Sequence, residues 1–558
     1  MLINLDSAGA GDFAADLVIV GAGAAGITLA RQFANTRTSV LLLESGGLAR
    51  EDAQQDLYKG ALTGQQTLPL HVSRLRYFGG STNHWAGWSR PLEAEDFAKR
   101  KDWPESGWPI TRNTLDAYYP AAARFIELGP TAFDDLAYWQ QQKGGAQLKA
   151  LPLQNDRLRT ALFQVSPPTR FGERYRQELA GAANVRVLLG ANVLELLPEK
   201  RAAGVAGSAG SAMPAGPARR VASVLATTPG GRQIRVTGRQ FVLAVGGIET
   251  PRILLSSTQM HPRGAGNEHD LVGRYFQDHP WLTGSAVVRY GSASTWPANW
   301  PLYFDTTEMA GAKVFGALVP NPRRAVEAGI GGFRLWLKPL QVSTQGLDAL
   351  RQSAADLRSG KLPDRLAEQV GSVLADWDVI ANAAYKTAFR TQKDLLDVGT
   401  GKVQGVVIDL NFEQRPQFDS RVTLGNATDR HGVRRVVVNW RLSDDDRRTA
   451  TTALQWAAEA FGQIGLGRTR ITLDLAAGKT WPAELIGSSH HMGTARMAAA
   501  PEQGVVDADC RVHAIDNLYV AGSAVFPTSG YANPTLTIVA LALRLADHLK
   551  GRLAGGPA

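Results

Sequence analysis

The stretch ADLVIVGAGAAGITLARQFANTRTSVLLLES, residues 15–45, decides the fold of this chain. Its first six residues are an apolar run typical of a buried strand, and three glycines follow at once in the spacing GxGxxG. Residues 27–35 have helical character, and residues 39–45 form a second apolar strand. A strand, a glycine turn, a helix and a further strand predict the start of a parallel α/β sheet of the Rossmann type.

Each glycine of the motif has a physical role. Gly21 permits the tight turn, Gly23 lets the backbone approach a pyrophosphate, and Gly26 lets helix and strand pack closely. Glu44 ends the second strand roughly 20 residues after the motif, where an acid can hydrogen-bond ribose hydroxyls. The pattern favours dinucleotide binding over a purely structural turn, and it does not distinguish FAD from NAD.

Composition excludes several other classes of protein. Of the 558 residues, 44% are hydrophobic and 20% are charged, as in a soluble protein with a large core. The net charge is +9 at pH 7, but the basic residues are scattered, so we expect no nucleic-acid partner. Cys510 is the single cysteine, which excludes an internal disulfide and a cysteine metal cluster, and we expect no metal.

Neither end of the sequence predicts a membrane association. The N-terminal stretch has acids and no basic segment before its apolar run, unlike a secretory signal. The apolar stretch 535–549 is too short to span a bilayer and contains Arg544 and Asp547. We therefore expect a cytoplasmic protein with no membrane partner.

Further motifs follow along the chain and carry a resemblance to a known family. The segments are GGSTNHW (79–85), GGIETPRILLSS (246–257), GRYFQDHP (273–280), HHMGTARM (490–497), NLYVAG (517–522) and NPTLTIVALALRLADHL (533–549). Together with the opening motif, they resemble the glucose–methanol–choline (GMC) oxidoreductase family over most of the chain. The motifs are closest to those of its pyranose 2-oxidase and choline oxidase members.

The resemblance implies a function and a cofactor. It implies that FAD is bound and that an alcohol, including a sugar or glycoside, is oxidised to a carbonyl by hydride transfer to flavin N5. The substrate is then a small-molecule alcohol, and O₂ or an external acceptor reoxidises the flavin. The sequence does not choose between an oxidase and a dehydrogenase, and it does not indicate the oligomeric state.

The resemblance also assigns the catalytic residues. The catalytic histidine of the family stands in H-x-x-G-T, which His490 matches, so His490 is predicted to be the base that takes the hydroxyl proton. Its neighbour His491 is expected to pack behind it or to contact substrate, because adjacent side chains of an extended segment point to opposite sides. The second active-site position is Asn533, where other members have histidine. Asn533 is also predicted to cap the last helix, with Pro534 as its first residue.

The remaining site predictions concern the flavin and the substrate. His84 is predicted to bond covalently to the flavin, as the spacing of GGSTNHW implies. Glu413 and Gln414 are candidate substrate contacts. The predicted cofactor contacts are Gly21, Gly23, Ala24, Ala25, Gly26, Glu44, Ser45, Gly79, Gly80, Ser81, Thr82, Asn83, His84, Val193, Gly246, Ala524, Asn533, Pro534 and Thr535.

The predicted fold class is α/β, with an α+β substrate domain. The Rossmann-like FAD domain is discontinuous and comprises residues 1–70, 180–280 and 485–558. The substrate domain comprises residues 71–179 and 281–484, and its antiparallel sheet covers the flavin. Residues 202–218, rich in small residues, are predicted to form a surface loop, and the region 341–400 is predicted to be helical.

Two alternative functions stay open from the sequence. The first is an FAD-containing lyase of the hydroxynitrile-lyase type, which keeps the flavin but transfers no hydride. The second is a dinucleotide-binding protein without catalysis, although such a protein needs neither His490 nor Asn533.

Overall fold

The computed structural model describes residues 1–7, 11–199, 219–289, 300–304, 306–342 and 402–555. The predicted loop 202–218 lies outside the described residues, as does the predicted helical region apart from residues 341 and 342.

The strands belong to three sheets. In chain order they are β1 (Leu2–Asn4), β2 (Phe13–Val20), β3 (Val40–Glu44), β4 (Ala61–Gly64), β5 (Trp88–Ser89), β6 (Leu158–Val165), β7 (Val185–Leu189), β8 (Asn192–Pro198), β9 (Val221–Thr227), β10 (Gln233–Leu243), β11 (Pro280–Arg289), β12 (Thr307–Met309), β13 (Ala312–Pro320), β14 (Phe333–Val342), β15 (Lys402–Phe412), β16 (Arg421–Thr428), β17 (Arg434–Trp440), β18 (Arg468–Ile471), β19 (Leu485–Gly487) and β20 (Leu518–Val520).

Within the described residues, the α-helices are short except for three. In chain order they are α1 (Ala24–Gln32), α2 (Asp52–Gln55), α3 (Ala94–Phe97), α4 (Arg112–Asp116), α5 (Tyr119–Phe125), α6 (Leu136–Gln140), α7 (Phe171–Arg174), α8 (Arg176–Gly181), α9 (Gly246–Ser256), α10 (Pro301–Phe304), α11 (Pro322–Glu327), α12 (Asp444–Gln463) and α13 (Thr535–Ala554). Single 3₁₀ turns cover Asp56–Tyr58, Gly80–Asn83 and Ser523–Val525.

The first sheet has the parallel centre that the opening motif predicts. Its order is β1-β7-β3-β2-β10-β9-β8, and β20 pairs with the carboxyl end of β10. β2 pairs in parallel with both β3 and β10, so the carboxyl ends of β2, β3, β10 and β20 meet at one edge. In open α/β sheets ligands bind at this edge.

The second sheet is antiparallel and brings distant segments to the same place. Its order is β18-β11-β15-β14-β13-β6-β5, with β12 on β13 and β19 on β11. One face packs on α12 through buried apolar side chains such as Leu335, Leu410 and Leu454. The opposite face carries Trp336, which stacks on Trp88 of β5 at 3.9 Å between ring centroids.

The two large sheets draw their strands from different parts of the chain. All strands of the first sheet lie within residues 1–70, 180–280 and 485–558. β19, Leu485–Gly487, lies at the start of the last of these segments, yet it pairs with β11 of the second sheet. A third, three-stranded sheet joins β4 to β17 and β16.

The last helix begins differently from the prediction. α13 starts at Thr535 after Pro534, and no side chain caps its N-terminus. The predicted capping role of Asn533 is therefore wrong, because its amide is engaged by residues of the cavity described below. α13 packs against α1, so the carboxyl-terminal helix supports the glycine motif.

Across the described ranges, none of the helices is both long enough and apolar enough to span a bilayer.

Candidate functional site

A cavity of about 580 Å³ lies where the two large sheets meet. Its size is within the usual range of small-molecule and cofactor sites. One end is formed by the loops at the carboxyl ends of β2, β3, β10 and β20. The other end is walled by Trp281 of β11, Arg334 of β14 and the loop with His490 and His491.

The glycine motif shapes the first end of the cavity. Gly21 has a φ of +100°, and a Cβ there would lie 2.6 Å from the Ala244 carbonyl oxygen. A Cβ at Gly26 would lie 1.9 Å from the carbonyl oxygen of Gly21, so only glycine permits this contact between turn and helix. A Cβ at Gly23 would meet nothing within 4 Å. Gly23 lines the cavity, so its bare backbone faces open space into which a ligand fits.

Glu44 lies beside the motif in the cavity wall. Its carboxylate accepts hydrogen bonds from the backbone N–H of Ala22 at 3.1 Å and of Gly46 at 2.9 Å. Burial raises the pKa of Glu44, and these bonds and the Arg76 guanidinium oppose that rise. The adjacent Ser45 also lines the cavity, and its buried Oγ has no hydrogen-bond partner among the described residues.

The segment 79–84 runs along the glycine motif. Gly79 and Gly80 both have positive φ, and the Gly79 N–H donates to the carbonyl of Ala22 at 2.8 Å. A Cβ at Gly80 would lie 3.2 Å from Gly23 Cα, so the two glycine turns touch. His84 lies at the end of this turn and lines the cavity. Partial burial and then the Arg170 guanidinium lower the pKa of His84, which favours a neutral imidazole.

The loop with both histidines is held by one buried carboxyl group. Asp278 Oδ1 accepts from the backbone N–H of His490 at 2.8 Å and of His279 at 2.7 Å, and its Oδ2 accepts from Ser489 N–H at 3.1 Å. Ser489 has a φ of +59°, which is uncommon for a residue other than glycine. The unusual backbone turns His490 into the cavity.

His490 has two ring contacts. Its Nδ1 lies 2.9 Å from Nδ1 of His279, and its Nε2 lies 3.4 Å from Nδ2 of Asn533. Arg334 in turn donates from Nη1 to Oδ1 of Asn533. Burial first, and then the electrostatic influence of His279, the Arg334 guanidinium and His491, holds the pKa of His490 well below its usual range. His490 is therefore neutral at neutral pH and can accept a proton.

His491 has different surroundings. Its ring stacks on Phe276 with centroids 5.8 Å apart, and its Nε2 is buried without a partner among the described residues. Burial and Arg74 lower the pKa of His491 to about 3. The side chain reaches the cavity wall but lacks the contacts that His490 makes with Asn533 and His279.

The other predicted site residues divide into two groups. Most of the predicted cofactor contacts line the cavity: Gly21, Gly23, Ala24, Ala25, Glu44, Ser45, Gly80, Ser81, Thr82, His84, Val193, Gly246, Asn533, Pro534 and Thr535. Those that lie behind its wall are Gly26, Gly79, Asn83 and Ala524.

Glu413 and Gln414 are also outside the cavity wall. Glu413 is fully buried and pairs with Arg100 at 2.7 Å. Gln414 Oε1 accepts from the Asp278 N–H at 3.1 Å and from Trp440 Nε1 at 2.8 Å. Their polar groups are thus engaged within the protein.

Two residues near His490 and Asn533 were not predicted from the sequence. His279 stands in the motif GRYFQDHP, and the motif by itself gives this histidine no role. Arg334 lies in a strand whose local sequence carries no motif, so no signal in the sequence could have found it.

The residues that line the cavity fit FAD. The bare backbone of Gly23 suits a pyrophosphate, and the acid Glu44 suits a ribose. Three buried polar atoms of cavity-lining residues lack a hydrogen-bond partner among the described residues: Ser45 Oγ, Arg76 Nε and His491 Nε2. Such atoms are expected where a polar ligand supplies the missing hydrogen bonds.

Comparison with known proteins agrees with this geometry. Residues 416–542 match the family model described as GMC oxidoreductase. The fructose dehydrogenase large subunit of Gluconobacter japonicus is 23% identical over 97% of this chain and 99% of that protein. The 2-methyl-1,2-propanediol dehydrogenase of Mycolicibacterium austroafricanum is 27% identical over 59% of this chain, and the match spans only 51% of that protein.

A solved structure has the same fold. The FAD-dependent oxidoreductase from Chaetomium thermophilum superposes with a TM-score of 0.53 at 16% identity, over 96% of this chain and 99% of that one. The fold is thus that of a flavin-dependent oxidoreductase. The match of residues 416–542 to the GMC oxidoreductase model confirms the resemblance seen in the motifs, and the expectation of FAD is confirmed.

Proposed function

We propose that this protein oxidises the CH–OH group of a small alcohol or sugar to a carbonyl, with His490 as the base. The observation that carries the proposal is the pair formed by His490 Nε2 and Asn533 Nδ2, which are 3.4 Å apart in the wall of the cavity. An acceptor and a donor side by side match a hydroxyl group, which both gives and receives a hydrogen bond.

The chain's own residues account for the proton. His490 takes the hydroxyl proton on Nε2 while the O–H bond breaks, and the Asn533 amide N–H stabilises the negative charge left on oxygen. When bound, FAD supplies the two-electron oxidising chemistry and accepts the hydride from the alcohol carbon. The alcohol thereby loses one proton and one hydride, and the cofactor is reduced by two electrons.

The named relatives support an alcohol or sugar as substrate. One is named for 2-methyl-1,2-propanediol and another for fructose, and both carry CH–OH groups. We propose O₂ or an external acceptor, such as a quinone or a redox protein, as the oxidant that returns the flavin to its starting state. A cytoplasmic location stays a prediction from the sequence.

The test is anaerobic mixing of the FAD-loaded protein with a panel of primary alcohols, secondary alcohols, sugars and glycosides. We expect at least one class to bleach the yellow absorbance of the oxidised flavin. Adding O₂ or a quinone afterwards identifies the acceptor by the return of the colour. A panel that leaves the flavin oxidised, while a cyanohydrin is cleaved, would overturn the proposal in favour of a lyase.

A further inference from the structure

The hydrogen-bond chain behind His490 determines which of its ring nitrogens carries the proton. His279 Nε2 lies 2.8 Å from the carbonyl oxygen of Gly530, and a carbonyl can only accept. The Nε2 of His279 therefore carries the hydrogen. Burial and then the Arg334 charge lower the pKa of His279 to about 3, so the ring is neutral and its Nδ1 has no hydrogen.

The same argument determines which ring nitrogen of His490 carries the hydrogen. Because His279 Nδ1 can only accept, the contact of 2.9 Å requires that His490 Nδ1 donate. A neutral imidazole carries one hydrogen, so Nε2 of His490 keeps its lone pair. This nitrogen faces Asn533 and the cavity, and the lone pair is what a base needs there.

Arg334 determines the orientation of the second partner. Its Nη1 donates to Oδ1 of Asn533, which leaves the amide Nδ2 and its hydrogens directed at His490. Arg334 is buried, and in the described part of the chain its guanidinium forms no ion pair with a carboxylate. The guanidinium lies over the rings of Trp88 at 5.5 Å and Phe163 at 5.6 Å. Its positive charge thus has aromatic but, among the described residues, no carboxylate partners, beside the place where the substrate oxygen becomes negative.

We propose that His279 and Arg334 are positioning residues that together set the polarity of the catalytic pair. His279 holds His490 in the tautomer with a free Nε2, and Arg334 turns the Asn533 amide N–H to the same point. The proposal rests on the proposed oxidation of an alcohol, and it adds two residues that lie outside the pair itself.

Variants of His279 test the first half. His279→Asn keeps a carbonyl oxygen close to the position of Nδ1, whereas His279→Phe keeps the ring and removes the acceptor. We expect His279→Phe to slow flavin reduction by about 10² to 10⁴-fold, the range over which a positioned base contributes to rate. His279→Asn should recover most of that loss, with little change in KM. Equal rates for the two variants, in protein of equal FAD content, would overturn this half.

Variants of Arg334 test the second half. Arg334→Gln retains an N–H donor without charge, Arg334→Lys retains donor and charge, and Arg334→Met retains neither. We expect flavin reduction to be faster in Arg334→Gln and Arg334→Lys than in Arg334→Met, because both can orient Asn533. If Arg334→Gln is as slow as Arg334→Met and only Arg334→Lys recovers the rate, the charge alone acts and the orienting role is wrong.

The pH profile supplies a readout that packing alone does not move. The titratable or charged groups around His490 are His279 just before β11, Arg334 from β14, the neighbouring His491, and Asp278, which binds its backbone. Removing the Arg334 charge raises the pKa of His490. The acid limb of kcat/KM should therefore move to higher pH in Arg334→Met and Arg334→Gln and stay in place in Arg334→Lys.

A measurement without substrate separates this inference from the proposed function. The chain has ten histidines, so ring-¹⁵N labelling and loss of one signal in His490→Ala assign His490. We expect its Nε2 to have the shift of an unprotonated nitrogen in the resting protein and a mixture of tautomers in His279→Phe. A protonated Nε2 in the unaltered protein would overturn the inference even if alcohols are oxidised.

Discussion

His490 and His491 are neighbours in the chain and differ in almost every contact. His490 faces Asn533 and His279, whereas His491 stacks on Phe276. Because a positioned base contributes about 10² to 10⁴ in rate, His490→Ala should slow flavin reduction by that factor while FAD stays bound. His491→Ala is the matched control and should have the smaller effect. The rate of flavin reduction in both variants is measured by stopped-flow absorbance. A larger loss of rate in His491→Ala than in His490→Ala would refute the assignment.

The lowered pKa of His491 also leads to a prediction about the stability of the folded protein in acid. With its pKa near 3 in the folded protein, it stays neutral while the unfolded chain binds a proton near pH 6.5. The free energy of unfolding therefore decreases by about 1.4 kcal/mol per pH unit from this residue as pH falls from about 6.5 to about 3. His491→Phe keeps a ring for Phe276 to stack on and should remove this loss. Between pH 7.5 and 5, the midpoint of thermal unfolding should fall less in His491→Phe than in the unaltered protein. An equal fall in the two proteins would contradict the prediction.

At the scale of elements, the turn between β2 and α1 separates structural glycines from a ligand-binding glycine. A Cβ at Gly26 strikes the Gly21 carbonyl, whereas a Cβ at Gly23 meets nothing within 4 Å. Gly26→Ala should therefore lower the thermal midpoint even without FAD. Gly23→Ala should leave that midpoint unchanged and weaken FAD binding, because the methyl group occupies space meant for the pyrophosphate.

A glycine elsewhere provides the control for these variants. Gly462 lies in α12, and a Cβ there meets nothing within 4 Å. Gly462→Ala should bind FAD normally and gain up to about 1 kcal/mol from helix propensity. Normal FAD affinity in Gly23→Ala would show that this turn does not contact the cofactor.

The segment 79–84 leads to a prediction about covalent attachment. His84 lies in the cavity wall beside the glycine motif. Its pKa is lowered, which favours the neutral ring, and the neutral ring is the nucleophilic form. A bond from its ring to the flavin 8α-methyl removes one hydrogen from each partner, and the two electrons leave through the flavin to its acceptor. Acid precipitation should leave the colour in the pellet, and intact mass should show added FAD that His84→Ala lacks. Free FAD and an unmodified chain would exclude the bond.

Local patterns in the sequence predicted the elements whose signals are local. The run from β2 through α1 to β3 follows from apolar residues and glycine spacing within 31 residues. The predicted helix after β10 is likewise present, as α9, Gly246–Ser256. The Asn533 side chain shows where such reasoning ends. A local pattern predicted a helix cap, but Arg334, 199 residues away, binds the amide instead. Contacts of that range depend on strand order, which no local pattern contains.

At the scale of the whole molecule, the cavity wall is shared by both large sheets. Gly23 and Glu44 come from the first sheet and its loops, and Trp281 and Arg334 come from the second. FAD should therefore bind the folded arrangement and not the unfolded chain, and stabilise it by about 4 kcal/mol at a thousandfold excess over Kd.

The stabilisation is best measured in His84→Ala, from which FAD can be removed whatever the outcome of the mass measurement. The thermal midpoint should rise steadily with the concentration of added FAD. A midpoint that does not depend on FAD would mean that the two sheets hold together without help from the cofactor.

β20 pairs with β10, and α13 packs on α1. The surroundings of the glycine turn are therefore completed only late in synthesis. The glycine turn leaves the ribosome early, but the strand and helix that complete its surroundings follow about 500 residues later, roughly 25 to 100 s at usual rates of translation. β10 ends at Leu243 and β20 begins at Leu518, so for about 275 residues of synthesis the carboxyl end of β10 lacks this partner and is open to pairing with other chains. We therefore expect FAD to bind only after β20 and α13 have been made.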